Sequence, residues 1–322
     1  MITDSTARCS LYARSTSHEQ PIGTATGFNR TFLLEIPLPW TKQPLESLHV
    51  TQAIKDALAE YRQHVGDVSA TLLVPNAHYA TEGGRFIDIK VEDGRITKRD
   101  VISRDGDIAA IIRSFARNEP LPAGAEIDET PWRDMIVCTH GSRDACCGTF
   151  GVPIYAVLRD LAKDSPHTRV WRSSHLGGHR FAPTLIDYPT GRNWGFVDAS
   201  IAESIFNQSV HPQTLQSHYR GWVGHRDPGL QMLEAEALAS LGWQWNDYRQ
   251  TGTILTRDEQ GRGVQVEIEA THPHLPGVTF RGEVEWGEEF TTFASCNAAP
   301  VVYQRKQLVR YERIVHSQPS NL

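Results

Sequence analysis

The sequence predicts a layered α/β (α+β) fold made of two units in tandem and closed by a C-terminal α+β extension. Three observations predict it. Short apolar runs bounded by Pro and Gly alternate with stretches of helical apolar periodicity, the same order of elements occurs twice, and a stretch rich in Pro and acids separates the two occurrences. A length of 322 residues also exceeds one ordinary core, so at least two are expected.

In the first unit Phe32-Leu33-Leu34-Glu35-Ile36 is a strand stopped by Pro37 and Pro39 before Trp40. Val50, Ile54, Ala57, Leu58 and Tyr61 recur at helical spacing, and Leu72-Leu73-Val74 is a second buried strand. Ile87, Ile89 and Val91 alternate with polar residues up to the turn pair Asp93-Gly94, and Ile96 resumes the pattern, which predicts a hairpin. A helix carrying Ile108, Ile111, Ile112 and Phe115 follows. From Asn118 to Pro131 no periodicity survives, so this stretch is taken as a linker of about a dozen residues.

In the second unit Met135-Ile136-Val137 is a strand running into a Cys-rich loop, and Ile154, Val157, Leu158 and Leu161 mark a helix. Arg169-Val170-Trp171 is a strand. Thr184 to Asp187, the turn Tyr188-Pro189-Thr190-Gly191, and Trp194 to Val197 make a hairpin, and a helix from about Ala199 buries Ile201, Ile205 and Phe206. Both units read β-α-β-β-β-α, the layout of a thioredoxin-like fold. The expected organisation is a thioredoxin-like scaffold domain without ligands (1–120), a second thioredoxin-like domain bearing the cysteines and histidines (132–222), and the extension (223–322). The extension shows one helix over Leu230, Leu233, Ala237, Leu238 and Leu241, and strands near 264–270, 278–286 and 301–311. Its task is left open between covering the site, packing the two units together and presenting a partner surface.

Composition removes several function classes. No apolar run approaches the ~18 residues of a membrane span, so no membrane partner is expected. The first thirty residues carry Asp4, Arg8, Arg14 and Glu19 and lack the apolar block of a secretory signal, so export is not expected and a cytoplasmic location is. A net charge of -6, with no basic stripe interleaved with aromatics, argues against nucleic acid.

Five cysteines, three of them (Cys138, Cys146, Cys147) within ten residues, suit a metal or redox role in a reducing compartment better than a disulfide scaffold. Cys9 and Cys296 read as small buried apolar residues unrelated to that group. The chemistry-bearing text is Cys138-Thr139-His140-Gly141-Ser142-Arg143-Asp144-Ala145-Cys146-Cys147-Gly148, followed by His175-Leu176-Gly177-Gly178-His179. Thiolate and imidazole are the best side-chain ligands for transition metals, and two of each make a four-ligand site. Gly177-Gly178 disfavours a helix between the histidines, so a loop wrapped around a metal is expected, with glycines admitting backbone amides to the centre. His140 and Arg143 share the loop and are not counted as ligands; for Arg143 a pairing with Asp144 or a backbone carbonyl competes with a role in docking.

These motifs resemble the sucrase/ferredoxin-like family, the bis-histidine branch of the thioredoxin-like [2Fe-2S] ferredoxins. The pattern Cys-x-His-x-x-Arg-Asp-x-x-Cys-Gly lies on Cys138, His140, Arg143, Asp144, Cys147 and Gly148; the pattern His-x-Gly-Gly-His lies on His175, Gly177, Gly178 and His179. The resemblance is strong over about residues 132–200. It implies a [2Fe-2S] cluster with one iron on Cys138 and Cys147 and the other on His175 and His179, Cys146 being the alternative to Cys147. It further implies electron transfer between a reductase and an unknown acceptor. Imidazole in place of thiolate makes such a centre easier to reduce, as in Rieske centres at about -150 to +300 mV against about -400 mV for all-cysteine plant types. A proton left on a bound imidazole would couple reduction to pH.

Three other readings stand beside it. The same four residues suit a zinc-stapled scaffold. A thiol oxidoreductase would use Cys138 with Cys146 or Cys147, without the Cys-x-x-Cys spacing usual for that chemistry. A reductase of a small oxidised or ferric substrate would employ the same cluster. No motif points to the paired carboxylates of a glycoside hydrolase.

Overall fold

The computed structural model describes residues 8–76, 78–79 and 83–316; Asp4 and the rest of 1–7 lie outside the described residues. A short helix α1 (Cys9–Ser15) precedes the first unit, which comprises β1 (Arg30–Glu35), α2 (Gln52–His64), β2 (Ser69–Leu73), β3 (Arg85–Glu92), β4 (Arg95–Ser103) and α3 (Ile108–Arg117). The stretch expected to be a structureless linker holds a three-residue strand, β5 (Ala125–Ile127), because Val101 to Ser103 offer it a free edge to pair with. Three residues flanked on both sides by glutamate and proline leave no period to detect.

The second unit comprises β6 (Arg133–Cys138), α4 (Ala145–Ala162), β7 (Thr168–Ser173), β8 (Leu185–Tyr188), β9 (Arg192–Trp194) and α5 (Ala199–Asn207), followed by β10 (Tyr219–Trp222). The last strand of the hairpin is earlier than Trp194 to Val197. Beyond Trp194 the chain turns away, with the Gly195 amide donating to the His218 carbonyl, the Phe196 amide to the Phe181 carbonyl, and Phe196 at φ 53°. The extension comprises α6 (Pro228–Leu241), β11 (Arg249–Arg257), β12 (Gly263–Thr271), β13 (Val278–Phe293) and β14 (Pro300–Val315).

Sheet order shows the repeat. In the first unit β1 runs parallel to β2 and antiparallel to β3, giving β2-β1-β3-β4; in the second β6 runs parallel to β7 and antiparallel to β8, giving β7-β6-β8-β9. Each is the connectivity of a thioredoxin-like unit. The two merge into one ten-stranded sheet where β2 meets β7 antiparallel at Leu73 and Ser173. The joint is reinforced by the Val74 amide on Arg172 O (2.9 Å), the Ser174 amide on Leu72 O (2.8 Å) and the Leu72 amide on Ser174 Oγ (2.9 Å).

Strand alternation divides the core. Phe32, Leu34, Leu72 and Phe86 pack under α2 and α3, and Met135, Val137, Val170 and Leu185 pack under α4 and α5. The intervening residues Leu33, Leu73, Ile87, Ile89, Ile136 and Trp171 meet on the other face, together with Cys9, Cys138, Cys146 and Cys147. A flat sheet with strands about 4.8 Å apart would hold β4 and β7 roughly 19 Å apart. Arg169 on β7 instead reaches Asp100 on β4 at 2.6 Å, so the sheet folds over at the β2–β7 joint and the shared face becomes an interior.

The extension wraps the second unit. α6 is buried nearly all round, between the ten-stranded sheet and the four-stranded sheet β11-β12-β13-β14, whose inward Val264, Val266, Ile268 and Ala270 alternate with polar residues. Glu234 at its centre pairs with Arg192 and accepts from Tyr219 Oη (2.7 Å) and Trp245 Nε1 (2.7 Å). No helix among the described residues is long and apolar enough to cross a membrane.

Candidate metal centre

Three segments supply the donors. β6 delivers Cys138 at its C-terminal end, with 1% of the residue exposed. Asp144 then caps α4, its Oδ1 accepting from the Cys146 amide at 2.9 Å, so the helix starts well before the expected Ile154 and takes both Cys146 and Cys147 into its first turn. Neighbours on a helix point about 100° apart, and these two diverge: Cys147 faces Cys138, while Cys146 turns to Cys9 and Cys296. Gly151 lets α4 lie against the strand end, since a Cβ there would stand 2.0 Å from the Cys138 carbonyl oxygen.

The loop between β7 and β8 supplies His175 and His179, with ring centroids 5.0 Å apart and planes inclined by 38°. Cys138 lies beside Cys147 and His175, and His175 beside His179. The Nδ1 atoms of His175 and His179 are buried without a hydrogen-bond partner among the described residues. Packing gives the glycines between them a further, steric reason. Gly178 adopts φ +66°, and a Cβ on it would lie 2.2 Å from Arg220 Nη2; the backbone amides that reach Cys138 come from His140 and Leu176.

Electrostatics divide the thiol pair. The hydrogen bond from Cys147 holds the Cys138 thiol well below its ordinary range despite burial, with His175 and the two amides adding to the effect. The same shared bond, with burial, pushes Cys147 up. Burial lowers the pKa of His179, and the Asp144 carboxylate, 3.8 Å away, opposes this.

His140 accounts for its place in the motif structurally: its Nε2 lies 2.9 Å from the Thr41 carbonyl and its ring stands edge-on to Trp40, tying the loop to the first unit. Asp144 is occupied by the amides of Cys146 and Cys296 and the Ser295 hydroxyl; among the described residues none of its bonds comes from Arg143. Cys9 and Cys296, which the sequence gives no reason to join to the motif, lie 3.7 and 3.2 Å from Cys146 Sγ. Sequence separations of 137 and 150 residues carry no local signal for that meeting; the only hint was an odd number of cysteines.

Residues 21–221 match the family described as sucrase/ferredoxin-like. Two yeast relatives, each called altered inheritance of mitochondria protein 32, are similar over shorter stretches. That of Meyerozyma guilliermondii is 26% identical over 104 residues, covering 28% of this chain and 34% of the relative; that of Saccharomyces cerevisiae is 44% identical over 61 residues, covering 19% of each. The chain therefore spans about a third or less of the curated relatives it matches. Among solved structures, a thioredoxin-like [2Fe-2S] ferredoxin from Aquifex aeolicus is 15% identical, with 24% of this chain and 78% of that one covered at a TM-score of 0.22. At that score the likeness carries no argument, and the fold stands on the strand order described above.

Proposed function

The chain belongs to the sucrase/ferredoxin-like family, and from that premise we propose that it carries single electrons through a [2Fe-2S] cluster held by Cys138, Cys147, His175 and His179. The observation that carries this reading is the gathering of two buried thiols and two imidazoles whose Nδ1 atoms have no other partner among the described residues. Thiolate and imidazole are the donor set such a cluster takes, and when bound it supplies one-electron transfer.

The chain's own residues do the rest. The His140 and Leu176 amides donate to the Cys138 sulfur and stabilise its negative charge. Cys138 and Cys147 are each 1% exposed, which excludes water from the sulfur side, whereas the His179 side chain is 13% exposed. The imidazole side is therefore the approach for protein partners, a reductase as donor and a separate acceptor. Arg220 buries a positive charge beside the thiols with no carboxylate partner among the described residues. Its bonds go to Thr24, the Gly177 carbonyl and the Asn193 side chain. Such a charge favours the more negative redox state. Five thiols without a disulfide fit the reducing cytoplasm as the place of work.

The test is the visible spectrum of anaerobically prepared protein with iron and acid-labile sulfide counted on the same sample, repeated for His175→Ala and Cys147→Ala. A red-brown chain with about two irons and two sulfides, bleached or shifted by both substitutions, is expected. Protein that stays colourless and iron-free after reconstitution with iron and sulfide would overturn the reading.

A further inference from the structure

Beside the iron site stands a second group of donors that the proposed electron transfer does not use. The three Sγ atoms of Cys9, Cys146 and Cys296 form a triangle with sides of 3.7, 3.2 and 3.6 Å. Asp144 closes it, with Oδ1 3.1 Å from Cys296 Sγ and 3.7 Å from Cys9 Sγ, and all four donors lie within 4.8 Å of one another. A tetrahedral zinc with Zn–S near 2.3 Å and Zn–O near 2.0 Å sets its ligands roughly 3.5–3.8 Å apart. Five of its six edges, at 3.1–3.7 Å, lie within about 0.6 Å of those lengths.

We propose that Cys9, Cys146, Cys296 and Asp144 form a closed structural zinc site, separate from the cluster site. Soft thiolates with one carboxylate select zinc over the hard cations that prefer all-oxygen shells. Cys9, Cys146 and Asp144 are 1%, 0% and 3% exposed and Cys296 is half-buried, and four protein donors fill a tetrahedral shell without a position for substrate or catalytic water. Binding releases the thiol protons to solvent; the carboxylate contributes none, and no electron moves.

The fold supplies a reason for the site. Cys9 opens α1, Asp144 and Cys146 begin α4, and Cys296 lies in the turn between β13 and β14, so one ion joins three segments that share no strand pairing. The carboxylate is pre-oriented by the Cys146 and Cys296 amides, both at 2.9 Å, and by the Ser295 hydroxyl at 3.1 Å. Asp144 also stands between the two sites, with Oδ2 3.8 Å from His179 Nε2. Cys146 and Cys147 thus serve different centres because the first turn of α4 points them apart. The inference rests on this geometry and not on the iron–sulfur reading.

The experiment is metal analysis of the full chain, isolated without added metal, for the wild type, Cys9→Ser, Cys296→Ser and the Cys138→Ser/Cys147→Ser double variant. One zinc per chain is expected, retained in the double variant that lacks the cluster thiols, and reduced tenfold or more in Cys9→Ser and Cys296→Ser with their iron unchanged. Zinc absent from the wild type, a Cys146–Cys296 disulfide in peptide maps of that zinc-free protein, zinc lost with Cys138 and Cys147 instead, or iron lost together with zinc from a folded Cys9→Ser chain would each overturn it. Should the single variants fail to fold, X-ray absorption at the zinc edge of the wild type decides. Three sulfurs and one oxygen support the site, and two sulfurs with two imidazoles overturn it.

Discussion

Arg220 shows how one side chain acts on the site without touching a metal. The residue is 1% exposed and its guanidinium is bonded only to neutral groups; burial pulls its pKa down to about 9, Arg180 adds to this, and the charges of Cys138 and Cys147 oppose it. A buried charge is costly unless compensated, and the partial compensation here comes from the thiolate side of the site. Arg220→Gln removes the charge and keeps much of the polar contact. The expected result is an unchanged visible spectrum with a reduction potential lowered on the order of 60 mV, a tenfold change in a one-electron equilibrium. Redox titration of the two chains checks this, and a potential that rises or stays put refutes the charge argument.

Helix α4 carries the site because of how its first turns are built. Asp144 supplies the cap, Gly148 passes close to Gly141, and Gly151 meets the Cys138 carbonyl. In Gly151→Ala the new methyl cannot share space with that oxygen, so the helix must shift from β6. A loss of about 1–3 kcal/mol is expected from overpacking of this kind, together with reduced cluster occupancy. Helix α5 offers the contrast. Asp198 caps it through a 3.0 Å bond from the Ile201 amide, away from the donors, so Asp198→Ala should cost about 1 kcal/mol and leave the spectrum alone. Urea unfolding read beside iron content distinguishes the two outcomes, and equal spectral effects would show that α4 has no special part in holding the site.

Across the whole molecule the two units are clasped by a buried ionic network. Asp134 on β6 binds Arg169 (2.6 Å) and Lys98 on β4 (2.5 Å), Arg169 also reaches Asp100, and Arg85 on β3 joins Asp100 to Asp128 at 2.6 and 2.9 Å. Burial alone would raise the Asp134 pKa; the charges of Arg169 and Lys98 outweigh it and hold the carboxyl below its ordinary value. A carboxyl depressed in the folded state stabilises fully above its unfolded pKa of about 3.9 and loses that contribution as pH falls through the folded value. Stability should therefore drop below about pH 4, with a shallower acid limb in Asp134→Asn. Asp134→Ala, which leaves Arg169 and Lys98 under-compensated, should cost about 3–5 kcal/mol at neutral pH. Denaturant curves across pH test both, and an unchanged acid limb in Asp134→Asn would remove Asp134 from the account.

The sequence by itself determined most of the elements, the repeated strand order and the text of the Cys/His motif. Helix and strand periods, Pro and Gly stops and neighbouring ligand residues are all local, and local patterns are legible in one dimension. It left α1, β5, β10 and β11 unseen: β5 and β10, at three or four residues, are too short for a period and exist by pairing with an edge formed elsewhere, α1 is only seven residues long, and β11 is mostly exposed and so carries no alternating apolar face. Only the tertiary structure decided that the sheet folds over at the β2–β7 joint, that Arg220 comes to lie beneath Gly178, and that Cys9 and Cys296 meet Cys146. Each depends on residues far apart in the chain, whose meeting is fixed by how whole faces pack and not by any spacing along it.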